Sequence, residues 1–223
     1  MLKVCIPIVE TTVEKARRSI GEAHQWADLI ELRVDYLREP DLKSLMDGGG
    51  KSFIVTNRRK EEGGRYEGDE RGRLGILREA VELGAEYVDI EMRSNPFFLQ
   101  DLLSDKKKTR MILSFHHFQK TPSPGELRRL YDRMVQWGPD VIKITTLATS
   151  WEDNFKVLSL SPYARRKKQK IVAFCMGAKG RMSRIFAPLM GADWTYASLS
   201  RNRISAPGQL TVTELKEIWE RLR

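Results

Sequence analysis

The chain has 223 residues, of which 41% are hydrophobic and 31% are charged, and its formal net charge is +9. This balance is typical of a globular protein that buries a hydrophobic core. The sequence contains no run of 18 or more apolar residues, which excludes a membrane-spanning helix. Its first ten residues, MLKVCIPIVE, lack the features of a signal peptide. We therefore expect a cytoplasmic protein.

Eight short runs rich in β-forming residues alternate with longer amphipathic stretches along the chain. The predicted strands are residues 2–9, 28–34, 52–58, 86–92, 109–116, 140–146, 170–176 and 193–198. The predicted helices include residues 12–24, 72–83, 96–103, 124–137, 149–160 and 213–222. Thr12 and Ser123 lie where helix N-cap residues are expected, each with a glutamate shortly after it.

This alternation predicts a parallel sheet, and eight strand–helix units predict a single (β/α)8 TIM barrel that forms one catalytic domain over residues 1–223. The alternative is an open, doubly wound sheet, which normally has a glycine-rich turn after its first strand. Here Val9 is followed by Glu-Thr-Thr, which favours the barrel.

Two basic runs, residues 106–108 and 165–168, account for part of the net charge. Each precedes a predicted strand, so both should lie on the amino-terminal face of the barrel, opposite the usual position of an active site. We expect solvated surface there and no nucleic-acid partner, because no aromatic residues are interleaved with the charges. Cys5 and Cys175 lie in apolar runs, where we expect reduced, buried thiols.

Charged residues occur on the predicted inward faces of several strands. Side chains alternate between the two sides of a strand, so the apolar face of Ile30, Leu32 and Val34 directs Glu31 and Arg33 into the barrel. The same reasoning turns further polar residues inward: Thr56, Arg58, Asp89, Glu91, Lys143 and Thr145. Burying so many ionisable groups is costly unless they pair or bind a ligand. The pattern therefore predicts a polar cavity at the carboxyl ends of the strands.

The adjacent histidines His116 and His117 cannot bind one metal ion together, because neighbours on a strand point to opposite sides. His116 shares the inward face with Ser114, whereas His117 points outward or into the following loop. Zinc needs three or four ligands, and the third histidine, His24, is remote in sequence. A metal site is therefore the weaker interpretation.

The predicted cavity holds one histidine and one lysine on neighbouring strands. A lysine among cations or in a water-poor pocket loses its proton more readily than its ordinary pKa of about 10.4 implies. The neutral amine can form an imine with a ketone, and a histidine can then remove the acidified proton on the neighbouring carbon. Arginines would hold an anionic substrate. These residues predict a Schiff-base lyase or aldolase that acts on a small anionic ketone.

Seven motifs resemble the type I 3-dehydroquinate dehydratase family from the first strand to the last loop. They are ELRVD at 31–35, TNRRKEEGG at 56–64, EYVDIE at 86–91, SFHHFQKTP at 114–122, VIKIT at 141–145, MGAKGRMSR at 176–184 and SAPGQ at 205–209. The resemblance implies a hydro-lyase (EC 4.2.1.10) of the shikimate pathway, in which Lys143 forms the imine with 3-dehydroquinate. His116 would be the general base and acid, and Glu62 would orient it.

The resemblance also implies the residues that contact the substrate. Glu31, Arg33 and Arg58 would hold the ring hydroxyls, Arg184 the carboxylate, and Met176 would pack beside the lysine, while Ser205 and Gln209 would lie in a closing loop. It implies no metal or organic cofactor, a small-molecule substrate, no membrane or nucleic-acid partner, and a homodimer. Two departures are His117, where the family usually has aspartate, and IPIVE at 6–10, where a serine is common.

Two other functions would fit parts of this pattern. A class I aldolase would share the lysine and the fold, and GAKGR at 177–181 would then be its phosphate-binding loop. A protein that binds nucleic acid or an acidic partner would use the net positive charge. Cleavage of a phosphorylated ketose would identify the first, and binding that persists at raised salt would identify the second.

Overall fold

A computed structural model describes residues 2–47 and 52–222, which form eight strands and nine α-helices. The strands are β1 (Val4–Ile8), β2 (Leu29–Arg33), β3 (Ser52–Thr56), β4 (Tyr87–Glu91), β5 (Arg110–His117), β6 (Val141–Leu147), β7 (Lys170–Met176) and β8 (Thr195–Tyr196). The helices are α1 (Val13–Ala23), α2 (Leu42–Met46), α3 (Glu70–Glu82), α4 (Pro96–Ser104), α5 (Pro124–Val135), α6 (Asp153–Leu158), α7 (Leu160–Arg166), α8 (Arg181–Phe186) and α9 (Val212–Arg221).

The strands form one parallel sheet in the order β7-β6-β5-β4-β3-β2-β1-β8. The gap between β7 and β8 is bridged by Asp193, whose backbone N–H donates to the carbonyl of Ile171 at 2.8 Å. The Asp193 carboxylate accepts from the backbone N–H of Ile171, also at 2.8 Å. Eight sequential parallel strands that nearly close on themselves are a (β/α)8 barrel, so the prediction of the barrel is confirmed.

Most predicted elements differ from the observed ones by one or two residues at an end, and two differ more. The predicted helix 149–160 begins only at Asp153, because the carboxylate of this residue accepts from the backbone N–H groups of Thr149 and Ser150 at 2.8 and 3.1 Å and holds them in a turn. The helical path then continues through α7. The predicted strand 193–198 is reduced to the two residues of β8, which pair with β1 on one side.

The two predicted N-cap residues, Thr12 and Ser123, are confirmed. At α5 the Ser123 side chain accepts from the backbone N–H of Glu126, and the Glu126 side chain accepts from that of Ser123, which completes a capping box. Thr12 caps α1 through its side-chain oxygen. Such caps satisfy backbone N–H groups that have no partner within the helix, so each helix begins at a defined residue.

The lower half of the barrel interior is filled with apolar side chains. Tyr87 packs edge-on against Trp194, with ring centroids 5.5 Å apart, and Cys5, Phe174 and Tyr196 belong to the same buried cluster. A second apolar layer lies between the strands and the helices. Because apolar side chains close the lower half, polar side chains are confined to the carboxyl ends of the strands. Cys5 and Cys175 are both buried free thiols, as predicted.

The basic runs lie at helix-to-strand connections on the amino-terminal face, as predicted. Lys106 pairs with Asp140 at 2.6 Å, and Lys107 pairs with Glu82. Lys167 pairs with Asp132 at 2.6 Å. Much of the charge in these runs is therefore neutralised within the fold. Within residues 2–47 and 52–222, no helix is long and apolar enough to cross a membrane.

Candidate active site

A cavity of about 250 Å³ opens at the carboxyl ends of the strands, a size suited to a small molecule. Nine of the ten residues that the sequence assigned to the site line it: Glu31, Arg33, Arg58, Glu62, His116, Lys143, Met176, Arg184 and Ser205. The tenth, Gln209, lies behind Ser205, and its side-chain oxygen accepts from the Ser205 backbone N–H at 2.8 Å.

Lys143 projects from β6 into the base of this cavity and is 5% exposed. Its Nζ lies 2.9 Å from Asp89 Oδ2, 3.2 Å from Glu31 Oε1 and 3.1 Å from the hydroxyl of Tyr196. It also lies 4.5 Å from the centre of the Tyr196 ring. The sequence predicts a lysine that lies either among cations or in a water-poor pocket. The structure places it in a water-poor pocket, and its nearest charged partners are carboxylates rather than cations. An ammonium with three acceptors is held in one position.

His116 is paired with Glu62 above the lysine. Its Nδ1 lies 2.9 Å from Glu62 Oε2, which also accepts from the His116 backbone N–H at 3.1 Å. Burial, and then the nearby cations Arg58 and Lys143, hold the pKa of His116 well below its usual value. Burial also raises the pKa of Glu62 to about 7. The ring is therefore neutral near pH 7. When Glu62 is ionised, a hydrogen bond from Nδ1–H to its carboxylate leaves Nε2 free to act as a base.

The backbone around Glu62 requires two glycines. Glu62 ends the short 3₁₀ turn Lys60–Glu62, and Gly63 follows it in the left-handed region at φ +80°. A Cβ on Gly63 would meet the Phe118 ring at 2.7 Å, and one on Gly64 would meet the Arg58 carbonyl at 1.8 Å. The glycines that the sequence offers here let the loop fold tightly over the barrel, so that the Glu62 side chain reaches His116.

The three arginines of the cavity differ in their partners. Arg33 makes two hydrogen bonds to Asp35, at 2.8 and 2.7 Å. Arg58 pairs with the carboxylates of Asp89 and Glu91, both at 2.8 Å. Arg184 is 2% exposed and lies over the Phe174 ring at 4.3 Å. Among the residues that the structure describes, its Nε and one Nη have no hydrogen-bond partner.

Burial lowers the pKa of Arg184 to about 10, so the group is still a cation near pH 7. A buried guanidinium with unused donors is costly unless an anion binds it. Carboxylates match its geometry well, because two parallel N–H groups can bind both oxygens. Arg184 is therefore the residue of this cavity best suited to bind a carboxylate.

The loop after β8 covers one side of the cavity. The backbone carbonyl of Pro207 accepts from the N–H of Gly177 at 2.9 Å, which ties the loop to the end of β7. Gly208 has φ +78°, and a Cβ there would meet the Gly177 carbonyl at 2.1 Å. Only glycine permits this close approach, which fixes the path of the loop in which Ser205 lines the cavity.

His117 points to the other side of the barrel wall from His116, as predicted. Its Nδ1 accepts from the backbone N–H groups of Gln119 and Lys120, both at 3.3 Å. An aspartate at this position could accept from the same two N–H groups, since its carboxylate is also a turn-forming acceptor. The replacement of the usual aspartate by His117 therefore affects the turn after β5 and not the cavity.

Two residues that contact the lysine, Asp89 and Tyr196, have no role assigned from the sequence. Asp89 was predicted to face inward but was given no role, although it is the nearest carboxylate to Lys143. Tyr196 was missed, because β8 is only two residues long and offers little alternation to analyse. Across the described ranges, no group of three or more His, Cys, Asp or Glu side chains is arranged to hold a metal ion.

Comparisons with known proteins identify the family of this chain. The family model described as Type I 3-dehydroquinase matches residues 4–222. The chain is 35% identical over 218 residues to a 3-dehydroquinate dehydratase of Methanocaldococcus jannaschii, with 97% of both chains covered. It is 34% identical over 222 residues to a chloroplastic bifunctional 3-dehydroquinate dehydratase/shikimate dehydrogenase of Arabidopsis thaliana, covering 97% of this chain and 36% of that longer protein.

A solved structure supports the same assignment. The 3-dehydroquinate dehydratase from Enterococcus faecalis is 27% identical and superposes with a TM-score of 0.84, covering 100% of this chain and 94% of the other. The family match extends over nearly the whole chain, and two curated relatives exceed 30% identity. The chain therefore belongs to the type I 3-dehydroquinase family, a family of hydro-lyases.

Proposed function

We propose that this chain converts 3-dehydroquinate to 3-dehydroshikimate in the shikimate pathway, through an imine formed on Lys143. The observation that carries the proposal is one small cavity that combines a buried lysine, a neutral histidine paired with a carboxylate, and an arginine with unused donors. These are the groups that elimination of water from an anionic hydroxyketone requires. The relatives named 3-dehydroquinate dehydratase support the choice of substrate.

The first step is attack of Lys143 Nζ on the ketone carbon of the substrate. The ammonium must lose a proton before it attacks, and Asp89 Oδ2 at 2.9 Å and Glu31 Oε1 at 3.2 Å are the acceptors within reach. The carboxyl group that took this proton returns it to the hydroxyl of the resulting carbinolamine, which leaves as water and gives an iminium ion. The face of the Tyr196 ring, 4.5 Å from Nζ, attracts this cation.

The second step is proton transfer by His116. The iminium withdraws electrons from the adjacent carbon, and Nε2 of His116 removes the proton there to give an enamine. The enamine then expels the neighbouring hydroxyl, which takes the proton from His116 and leaves as water. Glu62 stabilises the imidazolium that exists between these two transfers, because its carboxylate accepts from Nδ1–H. Hydrolysis of the conjugated iminium releases the product and restores Lys143.

The test of the activity is an assay of the purified protein with 3-dehydroquinate, in which formation of the conjugated ketone 3-dehydroshikimate is followed by ultraviolet absorbance and verified by mass spectrometry. We expect turnover that a metal chelator does not reduce. Absence of product would contradict the proposal, and cleavage of a phosphorylated ketose by the same preparation would identify the chain as an aldolase instead.

The pH dependence of kcat/KM should reveal Glu62. This carboxyl must be ionised to accept from Nδ1–H, so kcat/KM of the wild type should fall as pH decreases through about 7, the raised pKa of Glu62. Glu62→Gln removes this titration. We expect kcat/KM about 10- to 10³-fold lower, with no acid limb near pH 7. Glu61→Gln, at the exposed neighbour, is the control. An acid limb that stays near pH 7 in Glu62→Gln would assign that titration to another group.

Replacing Arg184 by methionine should weaken substrate binding and stabilise the protein. Loss of a charge-assisted, two-bond contact to the carboxylate should raise KM by about 10- to 100-fold, with a smaller effect on kcat. Removal of a buried cation without a carboxylate partner should raise the free energy of unfolding by about 1–3 kcal/mol. Steady-state kinetics and urea denaturation measure both effects. Arg181→Met, an exposed position on the same helix, should change neither. An unchanged KM would show that another group binds the carboxylate.

A further inference from the structure

Arg73 is an almost fully buried arginine on α3, outside the ring of strands, and its side chain is 1% exposed. Its guanidinium donates to Glu91 Oε2 at 2.7 Å, to the backbone carbonyl of Asn57 at 2.8 Å and to Ser94 Oγ at 2.8 Å. Two further bonds reach Glu70, at 2.7 and 3.0 Å. Every donor direction of the group is therefore used at the carboxyl ends of β3 and β4. An arginine held this completely fixes the groups that it touches.

The most buried of the side chains that Arg73 contacts is Glu91, which two arginines share. Its Oε2 accepts from Arg73 and its Oε1 accepts from Arg58 Nη1 at 2.8 Å. Arg58 in turn pairs through Nη2 with Asp89 Oδ2 at 2.8 Å, and the same Asp89 oxygen accepts from Lys143 at 2.9 Å. A continuous chain of four ion pairs thus runs from helix α3 to the nitrogen that forms the imine.

Arg73 also balances the buried charge of this chain. Around the base of the cavity the carboxylates Glu31, Asp89 and Glu91 outnumber the cations Lys143 and Arg58, and Arg73 supplies the third positive charge. Without it, Arg58 is the remaining cation bound to Glu91. We expect Glu91 then to bind Arg58 through both oxygens, which draws Arg58 away from Asp89 and changes how Asp89 holds the lysine.

We propose that Arg73 is a positioning residue for Lys143, acting through Glu91, Arg58 and Asp89. The inference rests on the proposed dehydratase activity. Because Arg73 does not line the cavity, it should affect the rate of the reaction on bound substrate and not the binding itself. Its role is distinct from that of Arg58, which lies within the cavity.

A double-mutant cycle tests this proposal after turnover by the wild type has been established, so that failure of the activity itself is recognised first. The four proteins are the wild type, Arg73→Met, Glu91→Gln and the double variant. We expect Arg73→Met to lower kcat by roughly 10- to 100-fold with KM changed by less than about threefold. In the Glu91→Gln background a neutral amide replaces the carboxylate that joins Arg73 to Arg58. The contact between these two arginines through residue 91 is therefore already weakened, and the excess negative charge is gone. In that background, Arg73→Met should therefore lower kcat by less than about threefold.

Two further variants separate positioning from a general loss of stability. Arg73→Lys keeps the charge and should recover most of kcat, whereas Arg71→Met, an exposed position on the same helix, should behave as the wild type. If Arg73→Met does not fold, Arg73→Gln, which removes the charge but keeps hydrogen-bond donors, replaces it in the same cycle with the same expected results. The proposal is overturned if Arg73→Met has wild-type kcat, raises KM alone, or lowers kcat equally in both backgrounds.

Discussion

Replacing Lys143 by arginine is expected to lower kcat for 3-dehydroquinate by about 10⁴-fold or more, because a guanidinium cannot form the imine. Arginine keeps a positive charge beside Asp89 and Glu31, which lie 2.9 and 3.2 Å from the lysine nitrogen. Methionine would leave both carboxylates without this cation and would cost about 3–5 kcal/mol of folding free energy. The arginine variant therefore separates chemistry from folding.

The control for this variant is Lys120→Arg, an exposed lysine in the loop after β5. Circular dichroism and thermal unfolding should establish that both variants fold. The lysine-to-arginine change at 143 should also abolish covalent trapping of substrate by borohydride. If Lys143→Arg retained more than about a tenth of the wild-type kcat, the imine mechanism would be untenable.

Replacing His116 by glutamine should lower kcat by about 10²- to 10⁴-fold, the usual contribution of a general base. Imine formation uses Lys143, so borohydride should still trap the substrate on the enzyme, although the elimination is blocked. Exchange of the acidified hydrogen with deuterium from solvent, measured by mass spectrometry, should be lost to the same extent as turnover. This pattern distinguishes the base from the nucleophile.

The neighbouring variant His117→Gln provides the matched control, since its side chain lies on the other side of the strand and accepts two backbone N–H groups of a turn. We expect its kcat to stay within about threefold of the wild type. Undiminished hydrogen exchange in His116→Gln would mean that another group removes the proton.

The fold and the site residues on the strands followed from strand periodicity, whereas five further site residues came from the family resemblance: Glu62, Met176, Arg184, Ser205 and Gln209. The alternation of side chains along a strand is a fixed property of the backbone, so the inward faces of β2, β3, β4 and β6 could be identified without a structure. The same rule separated His116 from His117. Together with the order of the strands, it predicted that Lys143 and His116 meet in one cavity, and the structure has them there.

The features that could not be predicted from the sequence depend on contacts between segments that are distant in sequence. Arg73 lies on a helix, and sequence alone does not reveal that its side chain crosses to Glu91 on β4. The path of the loop after β8 depends on the close approach of Gly208 to Gly177, which is a property of two loops and not of either one. Nothing in the periodicity indicated that Arg184, unlike Arg33, would have no carboxylate partner among the described residues.

The imine on Lys143 can be detected directly by reduction of the enzyme–substrate mixture with borohydride, followed by peptide mass spectrometry. Borohydride delivers hydride to an iminium carbon and converts it to a stable secondary amine on the protein. We predict a single adduct with the mass of reduced ligand on Lys143, together with loss of activity that requires both substrate and borohydride. Active protein that turns over 3-dehydroquinate but gives no adduct on Lys143 would contradict the account.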